Sequence, residues 1–270
     1  MPSPPRNPIM LEGAEQDHAV SGRRTSGLTH SRFLAAFQSP DERMALEAVS
    51  LPPRTLPANT DLVREGDATD RLYVLTEGWA CRYKTARDGS RQIVALLVPG
   101  DVANLDTLMF GRPDFGVRVL TAAKVVALPC EDVLALAGHH AGIGSVLARL
   151  SMIENAILSQ WALCLGRMSA QKRLAHLLCE LGERLHPDQA ADGMRFDLPL
   201  TQEQLADALG LTSVHVNRTL QQLRGDALVE TGSRTIGFPD VSRLRNVAEF
   251  DAAYLHAGSA DGLRPWPAMA

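Results

Sequence analysis

Hydrophobic and polar positions change their spacing twice along the chain, and those changes divide it. Residues 1–27 are rich in Pro, Ser, Gly and charge without any regular period, which predicts a disordered arm. From Ser31, the apolar positions Phe33, Leu34 and Phe37, then Met44, Leu46 and Val49, predict one or two helices broken at Ser39-Pro40. Between Leu51 and Cys130 the texture becomes short apolar or alternating runs, LYVL, ACRYKT, QIVALLV, VRVL and KVVALP. Gly66, Gly78, Gly89 and Gly100 punctuate these runs at intervals of 12, 11 and 11 residues, the rhythm of short antiparallel strands closing into a roll or sandwich.

After Cys130 the period becomes helical. Glu131 and Asp132 open a short helix, and a long proline-free one runs from Gly142 to Arg167. Along it, Ile143, Val146, Leu150, Ile153, Ile157, Trp161 and Cys164 recur at steps of 3, 4, 3, 4, 4 and 3. Such a stripe suits the seam of a parallel two-stranded coiled coil, and equally a helix packed on its own β domain. Ser169 then caps a helix with Leu174, Leu177, Leu178 and Leu181 on one face.

The stretch DLPLTQEQLADALGLTSVHVNRTLQQLRGDALVETGSRTIGF carries the strongest local signal. Thr201 and Gln204 form a capping-box pair, so a helix starts at Gln202; Gly210 stops it in a left-handed turn, and Thr212 caps a second helix. Ala206 is small where the two helices cross, and Val216, Leu220 and Leu223 supply the buried face of the second. That is a helix-turn-helix pattern. Its outer face presents Ser213, Val214, Asn217 and Arg218, with His215 beside them, to a major groove. Arg218 can fork onto guanine, Val214 can touch a thymine methyl, and Thr201, Gln202 and Thr212 at the helix starts can hold phosphate. Residues 228–236 flank Gly232-Ser233 as a small wing that brings Arg234 toward the DNA backbone.

Composition narrows the classes. With 45% hydrophobic and 21% charged residues the chain is neither wholly disordered nor fibrous, and a net charge of -4 excludes a uniformly basic nucleic-acid coat. All but three of the 27 basic residues are arginine, whose planar fork matches phosphate and guanine edges. Four scattered cysteines, Cys81, Cys130, Cys164 and Cys179, exclude a C-x-x-C zinc knuckle and fit a reducing compartment; Cys164 is either a small buried residue or a thiol able to pair across a dimer. No apolar run reads as a signal peptide or a bilayer span, so a soluble cytoplasmic location is expected. No histidine lies between His30 and His139, which argues against a cupin-like metal-dependent enzyme, and His139-His140 reads as a solvated pair.

Taken together, LVREGDATDRLYVLTEGWACRYKTARDGSRQIVALLVPGD and LTQEQLADALGLTSVHVNRTLQQLR resemble the Crp/Fnr family of bacterial transcription regulators, from about Ser31 to Asp240. The resemblance implies an α+β chain: a β-roll of the cyclic-nucleotide-binding, jelly-roll kind over residues 28–138, a dimerisation helix over 139–167 and a winged helix-turn-helix over 168–241, followed by a C-terminal helix and tail over 242–270. It further implies a homodimer on palindromic double-stranded DNA, an RNA polymerase contact if the chain is an activator, and a small-molecule effector of unknown identity. Cyclic-AMP binders of the family carry a Gly-Glu and an Arg-Ser pair after the PGD turn; here Asn104-Leu105 and Phe115-Gly116 stand there, and Asp106, Arg112 and Arg118 fall out of register. Its iron–sulfur sensors need cysteines ahead of Cys81, and none is present. The expectation is therefore a regulator without catalysis, metal or cofactor, with a small-molecule sensor acting through protein contacts as the alternative.

Overall fold

The computed structural model describes residues 27–29, 31–186 and 193–256. The expected N-terminal arm, except Gly27, and the tail beyond His256 lie outside the described residues. Two capped helices open the fold: α1 (Arg32–Ala35), where the Ser31 hydroxyl accepts from Leu34 N–H, and α2 (Pro40–Val49), where Ser39 caps and Pro40 sets the first turn.

Seven strands follow: β1 (Arg54–Leu56), β2 (Asp61–Val63), β3 (Arg71–Glu77), β4 (Ala80–Thr85), β5 (Arg91–Leu97), β6 (Gly116–Val119) and β7 (Ala123–Pro129). They form two antiparallel sheets, ordered β1-β7-β3 and β2-β6-β4-β5, closed over a core of Leu75, Leu97, Val117, Val119 and Val125. The four punctuating glycines all adopt positive φ, between 79° and 97°. At Gly78 the requirement is twofold, because a side chain there would also strike the Ala122 carbonyl. The short strands β1 and β2, with no alternation long enough to register, carried no signal in the sequence.

Between β5 and β6 sits α3 (Thr107–Phe110), and after β7 come α4 (Cys130–His139) and the 27-residue α5 (Ala141–Arg167). The two ends of the predicted seam of α5 are turned inward. Ile143 and Val146 are buried with Phe33, Phe37 and Val133 against the roll, with Leu150 packed beside them, while Trp161 is buried in the core of the C-terminal domain, with Ile157 packed against that core, and Cys164 is buried as well. Ile153 lines a cleft facing the roll. Of the two partners the spacing allows, the chain itself covers the two ends of this stripe, with α1, α4 and the roll at one and the C-terminal domain at the other, and Leu150, Ile153 and Ile157 between them are half-buried. The opposite face of α5 is exposed, with Met152, Leu158 and Leu163 among its apolar residues. By length and composition α5 could also cross a bilayer, contrary to the expectation that no stretch does.

The C-terminal domain contains α6 (Ala170–Leu185), β8 (Met194–Asp197), α7 (Gln202–Leu209), α8 (Ser213–Gly225), β9 (Glu230–Thr231), β10 (Thr235–Phe238) and α9 (Val241–Ala248), with a final 3-10 turn at Ala252–Leu255. Its core is continuous with the outer face of the β4–β5 hairpin, where Cys81, Tyr83, Ile93 and Leu96 meet the domain. Fully buried Glu180 on α6 fastens the joint: it accepts from Trp161 Nε1 on α5 at 2.9 Å, from the Tyr254 hydroxyl at 2.9 Å and from Arg184 at 3.1 Å.

Candidate nucleic-acid interface

Local chemistry sets the two helices of the reading head. The capping box at the start of α7 is complete: Thr201 Oγ1 accepts from Gln204 N–H at 3.1 Å, and the Gln204 side chain accepts from Thr201 N–H at 2.9 Å. Gly210 ends α7 at φ 61°, ψ 42°, the left-handed conformation that lets the chain reverse within three residues before Thr212 caps α8 through His215 N–H. Two residues that the sequence did not single out hold this turn from outside. Arg173 on α6 donates to the Leu209 carbonyl at 2.6 Å, and Gln92 on β5 donates to the Ala208 carbonyl at 3.2 Å. Both bond to backbone, which leaves no motif to read.

On α8, Val216, Thr219 and Leu223 face the core, and Leu220 is only half-buried. Leu220 still packs against the same core as Val216 and Leu223, and Thr219 joins this inward face, its hydroxyl donating back to the His215 carbonyl at 2.8 Å. Outward stand Ser213, Val214, Asn217 and Arg218, Val214 being 78% exposed, with His215 half-buried at their edge. None of the Ser213, Asn217 and Arg218 side chains has a polar partner within the described residues. An arginine and an asparagine left unengaged at the start of a well-capped helix are free to take partners from a groove floor.

The wing is larger than the sequence suggested. β8 joins β10 and β9 into a three-stranded sheet ordered β8-β10-β9, and Arg234 sits at the exposed turn with φ 68°. Thr201, Gln202 and Arg234 line one groove between this domain and the roll, together with Arg91 and Arg118 of the roll. The nine candidate DNA contacts therefore fall on two neighbouring surfaces, the outer face of α8 and this groove, and Arg91 is an addition that only the fold reveals.

The roll offers less to a ligand. Asn104 is fully buried and spent on structure, accepting from Tyr73 N–H at 2.9 Å and donating to the Arg71 carbonyl at 2.8 Å and to Thr107 at 2.9 Å. Arg118 grips Asp61 with two bonds, 2.7 and 2.9 Å, and Arg112 donates to the Gly66 carbonyl. All four cysteines are free and buried; burial pushes the Cys81 and Cys179 thiols up to about 12 and those of Cys130 and Cys164 up to about 11, far from the thiolate form that redox exchange requires. No cluster of three or more potential metal ligands occurs among the described residues.

Comparison with known proteins bears on the same two regions. Residues 172–247 match the Crp-like helix-turn-helix domain, and residues 53–140 match the cyclic nucleotide-binding domain. The transcriptional activator protein FnrL of Cereibacter sphaeroides is 30% identical over 233 residues, covering 82% of this chain and 90% of FnrL. The chain belongs to the Crp/Fnr family of transcription regulators. The nitrogen fixation regulation protein FixK of Azorhizobium caulinodans is 27% identical over 231 residues, 85% of this chain and 91% of that one. Among solved structures, FixK2 from Bradyrhizobium japonicum superposes with a TM-score of 0.67 at 26% identity, covering 74% of this chain and 97% of FixK2. As a Crp/Fnr member the chain is a DNA-binding transcription regulator rather than an enzyme, built from a cyclic-nucleotide-binding-type roll, a long helix and a helix-turn-helix.

Proposed function

We propose that this regulator acts as a soluble, cytoplasmic homodimer that reads a palindromic DNA site without cyclic-nucleotide control, contacting RNA polymerase where it activates. The observation that carries the reading is the unengaged outer face of α8: a capped helix start, an exposed arginine and an exposed asparagine, and a 78% exposed valine in place of a polar acceptor. The functional units are the roll at 28–138, the helix at 139–167 and the reading head at 168–241.

For the dimer, the supporting feature is the outward face of α5. Met152, Asn155, Ser159, Ala162 and Gly166 are all exposed and follow steps of 3, 4, 3 and 4, with Leu158 and Leu163 beside them. Small residues at these steps let two helices approach closely, so this stripe is the pairing surface proposed here, the ends of the apolar stripe being covered by the chain itself. Paired helices would set the two reading heads about 34 Å apart, one turn of DNA.

Against cyclic nucleotides stand Leu105, buried and apolar where a ribose would need an acid, and Phe115 where a phosphate would need a guanidinium. Burying the phosphate without its fork forfeits roughly 1.5–3 kcal/mol per charged hydrogen bond. The test is recovery and sequencing of genomic fragments bound by the purified chain, with and without cyclic AMP, together with sedimentation. Shared two-fold sites, bound equally with and without the nucleotide, and a dimer that Ala162→Glu converts to monomer are expected. Single unpaired half-sites, tighter binding with cyclic AMP, or a dimer unmoved by Ala162→Glu would each refute the corresponding part.

A further inference from the structure

One ion pair, between a buried arginine of the roll and a half-buried glutamate of α5, is used by neither the DNA interface nor the outward face of α5. Arg82 lies on β4 with its side chain turned into the roll and only 6% of the residue exposed. Its Nε donates to the Ala103 carbonyl at 2.8 Å and its Nη2 to the Val102 carbonyl at 2.8 Å. The outer edge of the fork grips Glu154 on α5, Nη1 to Oε2 at 2.8 Å and Nη2 to Oε1 at 2.7 Å. The guanidinium carbon stands 5.1 Å from the centre of the Phe115 ring. One cation thus joins a strand of the roll, the segment after the PGD turn and the middle of the long helix.

The place of this pair gives it meaning. Val102, Ala103 and Phe115 bound the same segment in which nucleotide-binding relatives would hold their acid and their guanidinium, and here a guanidinium does arrive, from β4. A cleft of about 270 Å³ opens beside it, lined by Arg82, Ala95, Leu97, Ile153, Glu154 and Ile157. Arg82 is a fork with two edges, one committed to fixed backbone carbonyls and the other to a carboxylate that comes from a different element. A guanidinium so deeply buried needs an anion there, since backbone carbonyls do not neutralise it.

We propose that the roll is a carboxylate-binding site whose resident ligand is the chain's own Glu154, so that α5 is held against the roll by a built-in anion where a relative would require a soluble effector. The inference deepens the reading above, in which no nucleotide is needed: the reading heads are set by a contact always present. It also makes a chemical demand on the emptied site. With Glu154 shortened, Arg82 and the cleft together form a seat for a small free carboxylate.

The experiment uses the full-length chain with Glu154→Ala, compared with wild type in buffers of equal ionic strength whose anion is chloride or acetate. Three readouts are taken: operator affinity, hydrogen exchange of the α5 amides around Met152–Leu158, and melting temperature. In chloride the variant should bind operator roughly tenfold more weakly and exchange faster along α5; acetate should recover most of both losses, and wild type should ignore the anion. If the variant is unfolded in chloride, a rise in melting temperature with acetate that wild type lacks is the supporting result, and its absence overturns the proposal. The double variant Arg82→Met, Glu154→Leu removes the seat and should not respond to acetate; a response there would place the anion elsewhere and overturn it. So would operator affinity and exchange within about twofold of wild type in chloride, or losses that acetate leaves unchanged. Failure of the wild type to bind any DNA would sink the functional reading alone, because exchange and melting test the carboxylate seat without DNA.

Discussion

The roll and the reading head are both fixed by capped turns and left-handed glycines, yet they dispose of their polar side chains in opposite ways. Among the roll's residues, Asn104 bonds two backbone groups and a threonine, Arg118 closes on Asp61, and Arg82 is bonded on both edges of its fork. On the outer face of α8, Ser213, Asn217 and Arg218 bond nothing within the described residues. Desolvating a polar group is costly unless a partner waits, so these side chains of the roll are committed to structure while those of the head keep their donors open. The two ends therefore differ in how their polar groups are engaged, and changes at each should separate stability from readout.

The largest effect is expected from emptying one of the roll's internal positions. Asn104→Ala leaves Tyr73 N–H and the Arg71 carbonyl buried without a partner and should cost about 2–4 kcal/mol of unfolding free energy. Denaturant titration measures the loss, while the preferred DNA sequence of the surviving folded fraction should not change. A shift in preferred sequence would mean that the roll shapes readout directly, which would break the contrast. Next comes the head. Arg218→Ala removes a side chain with no internal partner, so the melting temperature should hold while affinity for the specific site falls by about 1–3 kcal/mol and affinity for random DNA falls far less. Equal losses on both DNAs would make Arg218 a phosphate contact. Smaller again is Thr212→Ala, which deletes the cap on His215 N–H and should cost about 1 kcal/mol of stability, with site preference intact.

How far the sequence foretold all this follows the same division. The head was legible almost residue by residue, because caps, a left-handed glycine and the helical period are local, and Thr201, Gln204, Gly210 and Thr212 do what their residue types dictate. The glycine rhythm likewise located the turns of the roll. Long-range pairing was not legible. Nothing near Arg82 in the chain announces Glu154, which lies 72 residues away, and β8 is a short run whose partner strand lies beyond the whole helix-turn-helix. The stripe on α5 reads as apolar from its period alone, but a period states that a face is covered and is silent about what covers it. Its exposed counterpart, made of small and polar residues with one methionine, carries too little hydrophobicity to stand out.

The smallest expected effect concerns the pair that ties β2 to β6, and its sign follows from proton linkage. The two bonds from Arg118 hold the Asp61 carboxyl below the usual carboxylate range, outweighing the upward push of partial burial. In the unfolded chain that carboxyl titrates near its ordinary value of about 3.9, so between the two values the unfolded state binds more protons than the folded one. Stability from the pair is therefore fully present above about pH 4–5 and is lost as the pH falls through the lower, folded value. Both side chains are partly exposed, 20% for Asp61 and 25% for Arg118, which keeps the contribution to about 1 kcal/mol or less. Comparing wild type with Asp61→Asn in denaturant at several pH values should show a gap in stability near neutrality that narrows on acidification. The change should leave the preferred DNA sequence at neutral pH where it was, since Asp61 and Arg118 stand on β2 and β6 and not on the outer face of α8. A gap that stays constant down to about pH 3 would show that the loss in Asp61→Asn comes from altered packing of β2 rather than from the charge.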